Sequence, residues 1–517
     1  MKRKLIIFLL LAAMLLTVLA SCGSSSQTDE TESSKGTGKT PDDPGQETTG
    51  EDESQKQDYP FGVPEELDFN EADFIILTCP GENETTAFYW TQFDSHMING
   101  DQLNDQIYYR NLAIEEDLNI HLVIDTSGNL VNTDAFSTRV LGGGSDAFQL
   151  GVWIDRFALN MVMNGYVQPI EALTKEAGYY VDLDAPWWYQ TVNQELTVDH
   201  HLYFAGGYFN VDLFGGMQIV LFNQAIVEDK HLDNPYELYD LGLWTMDTMV
   251  QMEATAATDL DGDEEMTEND LWGLAYNGSH WNNNFIVVNK QNYIAKDEND
   301  LPYLNALGNE ELYDILECLL EDVLDKSYAF NMGNAKLYNT GHIYENNVRM
   351  FADSKALFAG TCATYMGNLR NATFDYGTVP FPTYHPLEPG DQYRSYNTGV
   401  VAHFVPSSST QDQLVSAVLE EMAYYSYVDV IPAFVDEVLE LKNVRDEKSS
   451  EILHALNQNL HLELGQTYWY DVVCGSTAHE IITKGMGVYV SAFTSAQSKI
   501  EAALDRTIEA FQKLDNE

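Results

Sequence analysis

The sequence predicts an α/β protein of more than one compact region behind a polar N-terminal stretch, and three observations carry that expectation. Short apolar runs alternate with segments whose apolar residues recur at helical spacing. Composition changes sharply near Asp58, from almost wholly polar to mixed. The body from Tyr59 to Glu517 is too long for one simple core and suits two or three domains.

The N-terminus comes first. Lys2, Arg3 and Lys4 precede an apolar run from Leu5 to Leu19, too short to span a bilayer comfortably and without a stop-transfer pattern after it. The run ends Leu19-Ala20-Ser21-Cys22, which resembles a lipobox, where small residues admit the peptidase and the cysteine thiol takes a diacylglycerol. Residues 1–21 are therefore expected to be a lipoprotein signal, with Cys22 the lipidated first residue of the mature chain. From there to Asp58 the chain is Ser, Thr, Gly, Asp, Glu and Lys with almost nothing apolar. Residues 22–58 cannot bury enough surface to offset their ordering entropy, so they are expected to be a disordered acidic tether.

Charge excludes some partners. With 26 basic and 81 acidic residues the formal charge is −55, which argues against nucleic acid and anionic lipid surfaces. The only membrane contact expected is the N-terminal lipid. Cys79, Cys318, Cys362 and Cys474 are scattered without zinc spacing. In an exported chain they could pair in three ways, and buried free thiols fit equally well.

Along the body, Phe74 to Leu77 reads as a buried strand, broken by Pro80-Gly81. Gln102 to Asn119 has helical periodicity and runs into a second strand, Ile120 to Ile124. Ala147 to Trp153 is a third strand, after Gly142-Gly143-Gly144-Ser145. This βαβ rhythm predicts a largely parallel sheet with helices on its faces. Further strands are expected at Ile219 to Phe222, Gly377 to Pro380 and Gly399 to Phe404. Helices are expected at Glu310 to Leu324, Thr410 to Val428, Pro432 to Leu441, Lys448 to Leu460 and Ala492 to Leu514. No internal repeat is visible.

Several stretches, in order, carry a resemblance. They are Asn104-Asp105-Gln106-Ile107-Tyr108-Tyr109-Arg110-Asn111, Gly144-Ser145-Asp146, and Asn164-Gly165-Tyr166-Val167-Gln168-Pro169-Ile170. Leu221-Phe222-Asn223, Leu243-Trp244-Thr245-Met246-Asp247, Gly377-Thr378-Val379-Pro380-Phe381-Pro382 and Pro432-Ala433-Phe434 with Arg445-Asp446 complete the series. From about residue 70 onward the chain resembles the extracellular solute-binding family typified by maltose-binding protein, in its long Gram-positive form. Asn223 and Gln224 depart from the family's Tyr-Asn-Lys, and so does Val435, where an aromatic is common.

The resemblance implies a two-lobed periplasmic-binding-protein-like (type II) α/β fold with crossover hinge strands and the ligand between the lobes. Lobe 1 would begin in 59–217, lobe 2 would be 218–385, and 386–517 would hold the hinge return, the rest of lobe 1 and the C-terminal helices. Crossovers near Gly215-Gly216-Met217 and Pro386 to Tyr396 are expected to flex. The implied function is capture of a carbohydrate, an oligosaccharide in particular, for an ABC importer. The implied partners are the permease subunits, and the protein would be a monomer on the outer face of the bacterial cell membrane, with no catalysis and no required cofactor.

A sugar presents apolar C–H faces and a rim of hydroxyls, so aromatic rings and charge-assisted hydrogen bonds hold it. Trp153-Ile154-Asp155-Arg156-Phe157 resembles the family's segment after its third strand. Asp155 and Arg156 would take hydroxyls, and Trp153 a ring face. Trp281 and Asn283 lie in an expected Gly278 to Phe285 loop matching the family's ligand loop, and Tyr365 stands where its cleft tryptophan sits. Tyr208, after Gly206-Gly207, and Tyr396 are further candidates. Trp187, Trp188 and Trp244 are read as packing residues.

One motif has chemistry of its own. Asp259, Asp261, Asp263, Glu265 and Asp270 occupy positions 1, 3, 5, 7 and 12 of an EF-hand- or dockerin-like pattern, in which oxygens at alternate residues wrap one Ca²⁺. Glu264 stands at position six, where glycine normally supplies a positive φ. A structural calcium and a solvated acidic loop are the two alternatives. Enzymatic signals are thin. The Gly142–Ser145 run lacks the Gly-Lys-Ser/Thr of a phosphate loop, and His479-Glu480 has no second zinc-protease histidine. No Gly-x-Ser-x-Gly occurs. The rivals to a transport role are a surface glycan-binding or adhesion lipoprotein and, behind it, a glycoside hydrolase whose carboxylate pair sequence alone cannot locate.

Overall fold

The computed structural model describes residues 59–79, 97–128, 133–142, 144, 147–209, 211–277, 281–338, 343–397, 401–439 and 447–514. Cys22, the signal segment, the tether, Gly278, Arg445 and Asp446 lie outside them. The strands are β1 Ala72–Leu77, β2 Ile120–Asp125, β3 Leu150–Ile154, β4 Val167–Gln168, β5 Gln218–Asn223, β6 Trp272–Tyr276 and β7 Ile294–Lys296. Then follow β8 Pro302–Leu304, β9 Ala329–Asn331, β10 Ala356–Cys362, β11 Tyr376–Val379, β12 Ser395–Tyr396, β13 Val401–Pro406 and β14 Leu460–His461.

Two five-stranded sheets organise the body, in the orders β2-β1-β3-β13-β4 and β11-β5-β10-β6-β9. The first sheet matches the βαβ expectation over β1, β2 and β3, which run parallel, with Phe74 opposite Leu122 and Ile76 opposite Leu150. Neither sheet is largely parallel, however, and that expectation is corrected. β13 is antiparallel to β3 and β4, and β5 is antiparallel to both β10 and β11. The reason is topological. The chain leaves the first sheet after β4, enters the second through β5, and returns through β12 to β13, so the strands at the crossings run against their neighbours. β3, β5, β10 and β13 are buried along nearly their whole length, which is why they read as continuous apolar runs.

Local chemistry explains the helix boundaries. The Gln102–Leu118 helix starts where the Asp101 carboxylate accepts from Asn104 N at 2.8 Å and stops at Asn119, whose φ is 51°. The Met246–Ala256 helix is capped by Thr245, and Trp244 beneath it is fully buried, its indole donating to the Pro380 carbonyl at 2.8 Å. The expected helix from Glu310 is α-helical to Cys318 and closes in a π turn over Leu319–Val323.

One local expectation fails. Trp281–Val288 is a helix, not a loop, and all eight residues are buried. Three consecutive asparagines hid it, because Asn has low helix propensity; tertiary packing stabilises the helix instead.

The C-terminal helix, Tyr489–Leu514, reaches both halves of the body. Its start packs beside the β7–β8 hairpin, where Tyr489 donates to the Ala306 carbonyl and Phe493 meets Tyr293. Its end meets Tyr203 through Phe511, and Thr507 accepts from the Trp469 indole. Cys79, Cys318, Cys362 and Cys474 are all free and buried. No helix of the described residues is long and apolar enough to cross a membrane.

Candidate functional site

In open α/β sheets, ligands gather outside the carboxyl ends of strands. At that end of β3 stands Asp155, first residue of the Asp155–Met163 helix, where a carboxylate complements the helix N-terminus. Asp155 is buried, and its Oδ1 accepts from Arg156 N at 2.7 Å. The Arg156 guanidinium carbon lies 5.1 Å from the Phe157 ring centroid and 5.2 Å from that of Tyr470. Its Nε is buried with no hydrogen-bond partner among the described residues. A buried guanidinium donor in this state is costly, and an acceptor oxygen would relieve it. Tyr470 was not among the residues singled out from sequence. Its signal was the aromatic run Tyr468-Trp469-Tyr470, which means little until folding carries it to Arg156.

Trp153 is fully buried within β3, opposite Ala402. Its ring meets Phe136 edge-on, and a Cβ on Gly128 would come within 2.5 Å of it, so the indole lies against bare backbone. The structure thus places Trp153 behind Asp155 as a packing residue.

The candidates near the second sheet divide in the same way. Trp281 lies flat into the second sheet's core, where a Cβ on Gly360 would sit 2.2 Å from its ring, and Phe381 closes on it edge-first. Its Nε1 is buried without a partner among the described residues. Asn283, on the same helix, donates to the Tyr396 hydroxyl oxygen at 3.1 Å and to Gln466 Oε1 at 3.3 Å. Asn282 links Asn283 Oδ1 to the Tyr293 hydroxyl, at 2.8 Å each. Beside them the buried Glu463 carboxylate accepts from Tyr293 N and Gln466 N and from the Cys474 thiol. Burial raises the Glu463 carboxyl and the Cys474 thiol above their ordinary values. Asn283 and Tyr396 therefore meet in a polar network joining the Trp281–Val288 helix, β12 and the C-terminal segment. Tyr365 is half-buried on the 3₁₀ stretch after β10, and burial raises its phenol.

Tyr208 is elsewhere. Its ring stacks on Tyr189 with centroids 4.3 Å apart, and its oxygen accepts from Asn457 Nδ2 at 2.7 Å. It lines a cavity of about 190 Å³ with Trp188 and Tyr189. Trp187 and Trp188 pack as expected, both indoles donating to Glu420.

In the acidic loop, Asp259, Asp261 and Asp263 converge, each offering an oxygen within 4.8 Å of the others. Asp259 accepts from Gly262 N at 2.6 Å and Glu264 N at 2.8 Å. Those bonds hold Glu264 at φ 68°, the left-handed turn that glycine would adopt more cheaply. Asp270 is fully buried, with both oxygens already engaged, by Leu260 N and by Thr267. Glu265 and Asp270 lie outside the three-residue group.

No protein-family model matches the chain, and no curated protein does. Solved structures do. A sugar transporter protein from Rhizobium etli, in an open conformation, superposes with TM-score 0.54 at 15% identity, covering 85% of this chain and 99% of that one. UgpB from Mycobacterium tuberculosis in complex with glycerophosphocholine gives 0.52 at 14%, over 85% and 99%. An ABC substrate-binding protein from Listeria monocytogenes in complex with cycloalternan gives 0.50 at 12%, over the same shares. The Listeria protein is thus described as an ABC substrate-binding protein and the Rhizobium one as a sugar transporter. The fold they share with this chain is the type II periplasmic-binding-protein-like α/β fold.

Proposed function

We propose that this chain captures a carbohydrate, an oligosaccharide in particular, between its two lobes and delivers it to the permease of an ABC importer, tethered outside the cell by a lipid on Cys22. The observation that carries the proposal is the Arg156 Nε, buried without a partner where β3 ends, with the Tyr470 ring over the same guanidinium. Asp155 and Arg156 take hydroxyls, Tyr470 takes a sugar face, and Tyr365 reaches in from the second lobe. Trp153 and Trp281 support the walls, and the Asn283–Tyr396 network holds the crossover. The loop from Asp259 to Asp270 binds one structural Ca²⁺ through Asp259, Asp261 and Asp263.

The test is a thermal-shift screen against mono- and oligosaccharides, with glycerophosphocholine as a non-sugar comparison. A ligand at a hundredfold its Kd stabilises the native state by about 2.7 kcal/mol, a clear rise in melting temperature. A rise with glycerophosphocholine and none with any sugar would overturn the carbohydrate assignment.

A further inference from the structure

We propose that the cavity between Trp188, Tyr189, Tyr208 and Asn457, lined by none of Asp155, Arg156 and Tyr470, is a second small-molecule site, which takes a single uncharged, polyhydroxylated six-membered ring. Its volume of about 190 Å³ exceeds the roughly 150 Å³ of an apolar cavity that holds benzene, so one substituted ring fits. No charged side chain lines it, which excludes ionic ligands on desolvation grounds.

The walls are rigid and pre-formed. Tyr189 and Tyr208 stack at 18° between their planes, and Asn457 locks both phenols, accepting from Tyr189 at 2.8 Å and donating to Tyr208 at 2.7 Å. The Trp188 indole N–H is committed to Glu420, so the ring and not its donor remains for a ligand. Aromatic surface therefore meets the ligand's C–H face. Thr191 and Gln190, less buried than the rings, offer polar groups to its hydroxyls. A purely apolar void would stay dry; this one has polar partners at which bound hydroxyls replace water.

The position gives the site a consequence. Asn457 lies near the end of the Glu447–Gln458 helix, directly before β14. β14 pairs with the crossover strand β12, and Ser395 of β12 donates through Oγ to the Leu456 carbonyl at 2.6 Å and through N to the Asn459 carbonyl at 3.0 Å. A ring seated against Asn457 stiffens the segment that holds the returning crossover. By linkage, a cleft ligand and this one then alter each other's affinity by the same factor.

The experiment uses the full chain labelled with 5-fluorotryptophan, with the Trp188 fluorine resonance assigned from Trp188→Phe. The probes are the methyl α-pyranosides of glucose, galactose and mannose. A saturable shift of the Trp188 resonance with at least one probe is expected, and it persists in Asp155→Ala, where the cleft is impaired. Thr191→Trp, which fills the cavity from its rim, weakens that event at least tenfold, and so does Tyr208→Leu; the dispersion of the other tryptophan resonances reports whether each variant is folded. No saturable shift with any probe, or a shift that vanishes in Asp155→Ala, would overturn the second site. Neither result bears on oligosaccharide capture in the cleft, which calorimetry measures separately.

Discussion

Asn283 Nδ2 lies 3.1 Å from the Tyr396 hydroxyl oxygen, and both side chains are buried, so the Trp281–Val288 helix is tied to β12, the strand by which the chain returns toward the first sheet. An amide in that position loses its water on folding and must be satisfied inside the protein. Tyr396→Phe keeps the ring and deletes the acceptor. It is expected to lower the unfolding free energy by about 1–3 kcal/mol, read as a lower urea midpoint at unchanged slope. An unchanged midpoint would mean that Gln466 and the Cys474 sulfur satisfy Asn283 without it.

The Arg156–Tyr470 pair makes a binding prediction. Arg156→Gln and Tyr470→Ala should each weaken a sugar found in the thermal screen at least tenfold, about 1.4 kcal/mol, by titration calorimetry. One removes a charge-assisted donor, the other a ring face. Unchanged affinity in both would move the site away from the end of β3.

Calcium has a separate signature. Ca²⁺ is expected to raise the melting temperature of the wild type, with oxygen ligands at about 2.3–2.6 Å. Asp261→Ala combined with Asp263→Ala should abolish that rise while leaving the calcium-free melting temperature nearly unchanged. If chelation does not move the wild-type curve, the loop is acidic surface only.

A buried carboxyl sets a pH dependence. Glu253, on the Met246–Ala256 helix, is fully buried, and neither of its oxygens has a partner among the described residues. Burial raises it well above its ordinary 4.5. The native state thus keeps a proton that the unfolded chain releases, so this group's contribution is present below pH 4.5 and is lost as pH rises toward the raised native value. Glu420, pushed up to about 7, and Glu421, pushed up to about 9, act in the same direction. Glu253→Gln should therefore be more stable than wild type at neutral pH, by a margin that widens between about pH 5 and pH 8. Parallel melting profiles for the two proteins would contradict this.

Much of the fold was legible because it rests on periodicity. Phe74–Leu77, Ile120–Ile124 and the helix from Gln102 announce themselves through apolar spacing, and Trp244 was recognisable as a core residue under a helix start. Strand direction was not legible, since the antiparallel placement of β5 and β13 follows from how the chain crosses between sheets. The Trp281–Val288 helix was hidden because asparagine disfavours helix locally, while the Asn283 amide is satisfied by partners as distant in sequence as Tyr396 and Gln466. The site shows the same limit. Asp155 and Arg156 stand out at a strand end, but Tyr470 reaches them only through tertiary structure, and nothing local distinguishes the buried ring of Trp153 from an exposed one.

Capture between two lobes requires that ligand touch both, and a ligand that does so favours the closed arrangement by its differential affinity. Gly215-Gly216-Met217 and the segment from Pro386 to Tyr396 are the places where the backbone would absorb the motion. Small-angle scattering on the full chain, with and without a sugar identified in the thermal screen, tests this most directly. The radius of gyration should fall on binding. A sugar whose binding is confirmed by calorimetry but which leaves the scattering unchanged would contradict capture between lobes and favour a rigid glycan-binding surface protein.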